Sequence, residues 1–93
     1  MDIKDSVALV TGGNRGIGEA FVRAFIEAGA AKVYVGSRKV ENAQHLVDEF
    51  GDKVVPVELD VSKPEQIEAA AARCQDVSIL VNNAGQFSMQ TLM

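Results

Sequence analysis

The residues of this chain best suited to chemistry are glycines. Gly12, Gly13, Gly16 and Gly18 crowd into the stretch Thr11-Gly12-Gly13-Asn14-Arg15-Gly16-Ile17-Gly18, directly after the apolar run Val7-Ala8-Leu9-Val10. Glycine tolerates left-handed backbone, lets main-chain amides come close to a ligand, and lets a helix pack on a sheet with no Cβ in the way. A turn of this kind that opens a helix offers unpaired N–H groups and the positive end of the helix dipole, a seat for a diphosphate. The Gly-Lys-Ser/Thr of an ATP-binding P-loop is missing from it. A second short stretch, Asn82-Asn83-Ala84-Gly85, follows another apolar run, Val77 to Val81.

The remaining reactive side chains read as structural, and no catalytic or metal-ligating residue is assigned. Tyr34 lies inside a β-branched run and reads as a half-buried strand aromatic. Ser78 is also in a strand, Ser88 falls in a stretch with no clear period, and neither has a base placed near it. His45 sits beside the polar Gln44 and Asp48, off the apolar stripe of its helix, as a solvated residue. Asp48 and Glu49 read as solvated charges and not as an acid/base pair. The single cysteine, Cys74, has no partner for a disulfide or a CxxC site, and reads as a small core residue.

The elements that must position the glycines follow from periodicity. Short β-branched runs alternate with stretches of helical spacing, which predicts a parallel sheet with crossover helices. Val7 to Val10 is the first strand, apolar throughout as a strand covered on both faces should be. Ile17, Ala20, Phe21, Ala24, Phe25 and Ala28 recur at helical spacing, and Gly29 stops that helix. Residues 32–36 form the second strand, Ala43, Leu46, Val47 and Phe50 mark the second helix up to Gly51, and 53–57 form the third strand. Pro56 cannot donate to a ladder, so that strand belongs at an edge. Ser62-Lys63-Pro64-Glu65 has the form of a capping box before a third helix with Ile67, Ala70, Ala71 and Cys74 inward. Residues 77–81 are the fourth strand. Right-handed crossovers and the edge proline together predict the strand order 3-2-1-4, with both glycine-containing stretches at the crevice where the order reverses.

Composition narrows the partners. The 93 residues carry 9 basic and 13 acidic side chains, a net charge of −4, with no basic run, so neither nucleic acid nor an anionic membrane is an expected partner. No apolar run is long enough to span a bilayer and the first residues lack a signal-peptide pattern, so a cytoplasmic location is expected.

These residues resemble a known family. Thr11 to Gly18 is similar to the TGxxxGxG motif of the short-chain dehydrogenases/reductases, and Asn82-Asn83-Ala84-Gly85 to their NNAG motif; the resemblance covers the whole chain, including Asp60-Val61 after the third strand. It implies a Rossmann-type α/β three-layer sandwich that binds a nicotinamide dinucleotide. By that analogy Gly12, Asn14, Arg15, Gly16, Ile17 and Gly18 form the diphosphate turn, Asp60 and Val61 meet the adenine, and Asn82, Ala84 and Gly85 border the adenosine side, Asn82 partly by tying the fourth strand to the first. At the end of the second strand, where NAD-selective members carry an acid, this chain has Gly36-Ser37-Arg38. Arg38 can fork onto a 2′-phosphate, Arg15 adds a second cation, and with Ser37 beside them the expected cofactor is NADP rather than NAD.

The family's catalytic serine and Tyr-x-x-x-Lys lie in the later half of a longer chain, and here the residue four positions after Tyr34 is Arg38. The chain is therefore expected to be a partial dinucleotide-binding domain over 1–93, with 86–93 an irregular tail, inactive by itself. Its complete form would transfer hydride between NADP(H) and a carbonyl or alcohol. A non-catalytic dinucleotide-binding or regulatory module and a non-functional fragment stay open as alternatives. The unpaired edge of the fourth strand points to self-association or pairing with the missing C-terminal half.

Overall fold

The computed structural model describes residues 3–12, 16–60, 62–82 and 88–91. Five strands form one sheet in the order β3-β2-β1-β4-β5: β1 (Val7–Thr11), β2 (Lys32–Ser37), β3 (Val54–Glu58), β4 (Ile79–Asn82) and β5 (Ser88–Thr91). The first four are parallel, joined by crossovers through α1 (Gly16–Glu27), α2 (Gln44–Phe50) and α3 (Pro64–Arg73). The expected order 3-2-1-4 is present, and Pro56 lies in edge strand β3, opposite Val35.

The stretch expected to be an irregular tail contains β5, which runs antiparallel to β4 from Asn82↔Ser88 to Ile79↔Thr91. It covers the edge that was expected to stand open. The reason is local: β4 needs partners for the main-chain groups facing away from β1, and β5 supplies them.

Alternating side chains divide the core in two. Ala8, Val10, Val33, Val35, Ile79 and Val81 point to one face, under Val22 and Phe25 of α1 and Ala43 and Leu46 at α2. Leu9, Tyr34 and Val57 point to the other, where they meet Leu59 and the α3 side chains Ala70 and Cys74. Cys74 is thus the core residue expected of it, and burial pushes its thiol pKa up.

Two helices sit on different faces than their spacing predicted. In α1 the buried residues are Gly18, Val22 and Phe25, whereas Ile17 is 62% exposed and Ala20, Ala24 and Ala28 face solvent. The sheet takes the larger side chains, Val22 and Phe25 with Phe21 and Ile26 beside them, and leaves the alanines outside. Glu19 and Arg23 turn toward α2: Arg23 Nε donates to Glu19 Oε2 at 3.2 Å, its Nη1 donates to Glu49, and His45 Nε2 lies 2.7 Å from Glu19 Oε1. His45 and Glu49 are solvated as expected, and at the surface they also bridge the two helices.

In α3, Ala70 and Cys74 are buried but Ile67 is 45% exposed and Ala71 is exposed. The capping box does not form either. The N-cap residue is Lys63 with no side-chain bond, Pro64 takes the first helical turn, and Ser62 Oγ donates instead to Asp60 Oδ1 at 2.6 Å. Ser62 lies one residue before the cap position, where its hydroxyl is not placed to accept from the first helical N–H groups.

Candidate cofactor-binding site

The site residues described by the structure converge at the carboxyl ends of the parallel strands. Gly12, just past β1, holds φ at 65° and donates its N–H to Gly36 O at 2.8 Å, carrying the β1–β2 ladder one step further. Gly16 begins α1 with φ at 61° and no atom within 4 Å of where a Cβ would stand. Positive φ at both positions is the physical demand that glycine meets there. Gly18 is buried against the sheet, Ile17 projects outward, and the first N–H groups of α1 have no partner within the helix. An anion at that end would meet main-chain donors and the helix dipole together.

The end of β2 is held by its neighbours. Gly36 is buried, and a Cβ there would lie 3.1 Å from Leu59 Cδ2, so the leucine side chain occupies the space that glycine leaves. Ser37 is also buried. Its Oγ donates to Lys39 O at 2.7 Å and its carbonyl accepts Leu59 N–H at 2.8 Å. The hydroxyl thus shapes the turn from within, and the exposed Arg38 is the side chain that the turn presents.

Asp60 follows Leu59 at the end of β3. Its N–H donates to Gln66 Oε1 at 2.7 Å, and its Oδ1 accepts from the Ser62 amide at 3.0 Å and from the Ser62 hydroxyl. Those Ser62 bonds, the hydroxyl first, hold the Asp60 carboxyl below its usual pKa, with Arg38 and Lys63 adding positive field, so it is a carboxylate at neutral pH. On the other side of β1, Asn82 pairs with Thr11, and Thr11 Oγ1 lies 3.4 Å from Val81 O.

Main-chain contacts therefore link Asn82 to Thr11-Gly12, Gly12 to Gly36, and Ser37 to Leu59-Asp60 in one continuous rim. Asn14, Arg15, Val61, Ala84 and Gly85, also expected in the site, lie outside the described residues. Sequence reading missed Gly36, Leu59 and Gln66. Only the glycine carried a signal, since it ends a strand where a side chain would ordinarily follow.

The rim offers main-chain donors, a cation and a carboxylate, a donor set that suits a phosphate-bearing nucleotide. Tyr34 is directed elsewhere. Its Oη donates to Asp76 Oδ1 at 2.9 Å, and Lys32 Nζ, 4.7 Å from the tyrosine ring centre, pairs with Asp76 Oδ2 at 2.8 Å. Asp76 precedes β4 and Lys32 begins β2, so this cluster lies toward the amino ends of the strands.

Comparison with known proteins gives one family. The model of the short chain dehydrogenases matches residues 6–93. The NADP-dependent 3-hydroxy acid dehydrogenase of Salmonella typhi is 41% identical over 83 residues, covering 85% of this chain and 33% of that protein. The 3-oxoacyl-[acyl-carrier-protein] reductase of Vibrio cholerae is 43% identical over 89 residues, covering 91% and 36%. The chain thus spans about a third of the length of the curated relatives it matches. Among solved structures, a short chain dehydrogenase from Burkholderia cenocepacia in complex with NADP superposes with a TM-score of 0.83 at 46% identity, over 91% of this chain and 34% of that one.

Proposed function

The chain belongs to the short chain dehydrogenase family, and we propose that it is the NADP(H)-binding segment of an oxidoreductase acting between a carbonyl and an alcohol. The observation that carries this reading is the rim itself: two glycines at positive φ, one just past β1 and one opening α1, and the Gly36-Ser37-Arg38 turn beside them with a cation where an NAD-selective site has an acid. Gly12, Gly16, Gly18 and the start of α1 would hold the diphosphate, with Asn14, Arg15 and Ile17 in the same turn. Ser37 sets the turn from which Arg38 reaches a 2′-phosphate. Asp60 and Val61 would border the adenine, and Asn82, Ala84 and Gly85 the adenosine side. When bound, the nicotinamide supplies or accepts the hydride, while this chain binds and orients the cofactor. The Salmonella relative's NADP dependence and the NADP in the Burkholderia structure support that choice of cofactor.

On this reading the protein works in the cytoplasm. A second copy or the remainder of a full-length fold would join it at the β4 edge, where β5 gives way.

Arg38→Asp tests the cofactor assignment. The substitution replaces a charge-assisted bond with repulsion toward the 2′-phosphate and restores an acceptor for ribose hydroxyls. It should shift the NADP/NAD affinity ratio about tenfold to a hundredfold toward NAD. Titration of both dinucleotides against parent and variant decides it, and an unchanged ratio would remove the argument for NADP.

A further inference from the structure

We propose that Gln66 is a positioning residue for base recognition, acting through Asp60; this rests on the dinucleotide reading above. Gln66 lies in the first turn of α3, where spacing alone would place it on the solvent side of a stripe running through Ile67. The structure turns it the other way. Gln66 is half-buried while Ile67 is exposed, and its Oε1 accepts the Asp60 N–H at 2.7 Å. An apolar side chain is left in water and a polar one is drawn in, and what the arrangement gains is the bond to Asp60.

That bond completes a three-sided restraint. From β2, the Ser37 carbonyl accepts Leu59 N–H at 2.8 Å, and the Leu59 side chain fills the space over Gly36. From the loop before α3, the Ser62 amide and hydroxyl both bind Asp60 Oδ1. From α3, Gln66 holds the Asp60 main chain. Among the described residues both hydrogen bonds to the carboxylate fall on Oδ1, which leaves Oδ2 without one from them and able to accept from a ligand. A carboxylate fixed in this way distinguishes a base that donates an amine from one that presents a carbonyl. Adenine carries an exocyclic amine at the position where hypoxanthine carries an oxygen, and an acceptor facing an oxygen leaves both unpaired. Gln66 therefore governs which base the site prefers, without touching it.

The probes are 2′,5′-ADP and its hypoxanthine counterpart, titrated against the 93-residue chain, with amide hydrogen exchange at Asp60 followed in the ligand-free protein. Gln66→Ala removes the acceptor, and Gln66→Glu keeps one at the same reach. In Gln66→Ala the preference for adenine over hypoxanthine should fall about fivefold, the worth of one hydrogen bond, and the Asp60 amide should lose protection. Gln66→Glu should keep both within about twofold of the parent. Protection at Asp60 that is unchanged in Gln66→Ala overturns the inference even without ligand. So does an unchanged base preference, or an equal loss of affinity for both probes, which would mark Gln66 as merely structural. A parent chain that binds neither probe overturns the dinucleotide reading and this inference with it, whereas the preceding outcomes leave that reading standing.

Discussion

The two faces of the sheet are built differently. Under α1 and α2, Ala8, Val10, Val33, Val35, Ile79 and Val81 vanish from solvent, and the charged groups stay in the layer above, where Glu19, Arg23, His45 and Glu49 join helix to helix. On the other face α3 covers the sheet through Ala70 and Cys74, and Val7, Val55, Val77 and Leu80 are only partly buried. There polar bonds reach a strand, Tyr34 to Asp76, and the loop just past β3, Asp60 to Gln66. Apolar burial needs only volume and cover, so two helices close the first face. Where cover is incomplete, directional bonds fix the arrangement, and the rim residue Asp60 is held from that side.

The largest expected effect tests whether the first face carries the stability. Leu46 is fully buried beneath it, so Leu46→Ala should cost about 3 kcal/mol, transfer and cavity together. Leu80→Ala on the second face should cost about 1 kcal/mol, because a partly buried leucine has less to lose. Urea denaturation of both variants measures the difference, and equal costs would dissolve the contrast between the faces.

The next effect isolates a polar bond of the second face. Tyr34→Phe keeps the ring under Lys32 and removes the hydroxyl that donates to Asp76. A loss of about 1 kcal/mol is expected, below the ~1.5–3 kcal/mol of a bond to a buried charge because Asp76 is half-exposed. A variant as stable as the parent would show that the ring alone holds the strand there.

The smallest effect is acid sensitivity, and it should appear on both faces. His45 and Arg23 hold the Glu19 carboxyl below its ordinary pKa, and Lys32 followed by Tyr34 does the same for Asp76. A carboxyl depressed in the folded state binds its proton more readily when unfolded. Its stabilisation is present above the unfolded value, about 4, and is lost as pH falls through the folded one. Melting temperature should therefore hold from pH 7 to about 5 and fall below about 4. Glu19→Gln or Asp76→Asn should each flatten that fall by no more than about 1 kcal/mol, since both carboxylates are near solvent. A slope untouched by either variant would place the acid-labile groups elsewhere.

Much of the fold was legible before any coordinates. Alternating β-branched runs and helical spacings gave four parallel strands, and a proline that cannot donate at residue 56 was enough to send its strand to an edge and put β1 in the middle. The glycines at 12 and 16 declared their turn because positive φ is a demand few other residues meet. Arg38 in place of an acid was equally plain, being a matter of residue type and not of contact.

Side-chain phase was not legible. Apolar residues lie on nearly every side of α1, so spacing could not choose between the stripe through Ile17 and Ala24 and the one through Val22 and Phe25. The choice fell to the sheet, which takes in the larger Val22 and Phe25 with Phe21 and Ile26 beside them, and the surface pairs of Glu19 and Arg23 with His45 and Glu49 accompany that orientation. Ser62 and Glu65 likewise had the form of a cap, but the helix starts one residue later, with Lys63 as its N-cap. Local propensity and backbone stereochemistry belong to the residue and its near neighbours, and for these the chain alone sufficed. Which face a helix presents depends on groups distant in sequence, and whether a stretch of no clear period becomes a strand depends on the open edge of β4 beside it; only the folded molecule brings these together.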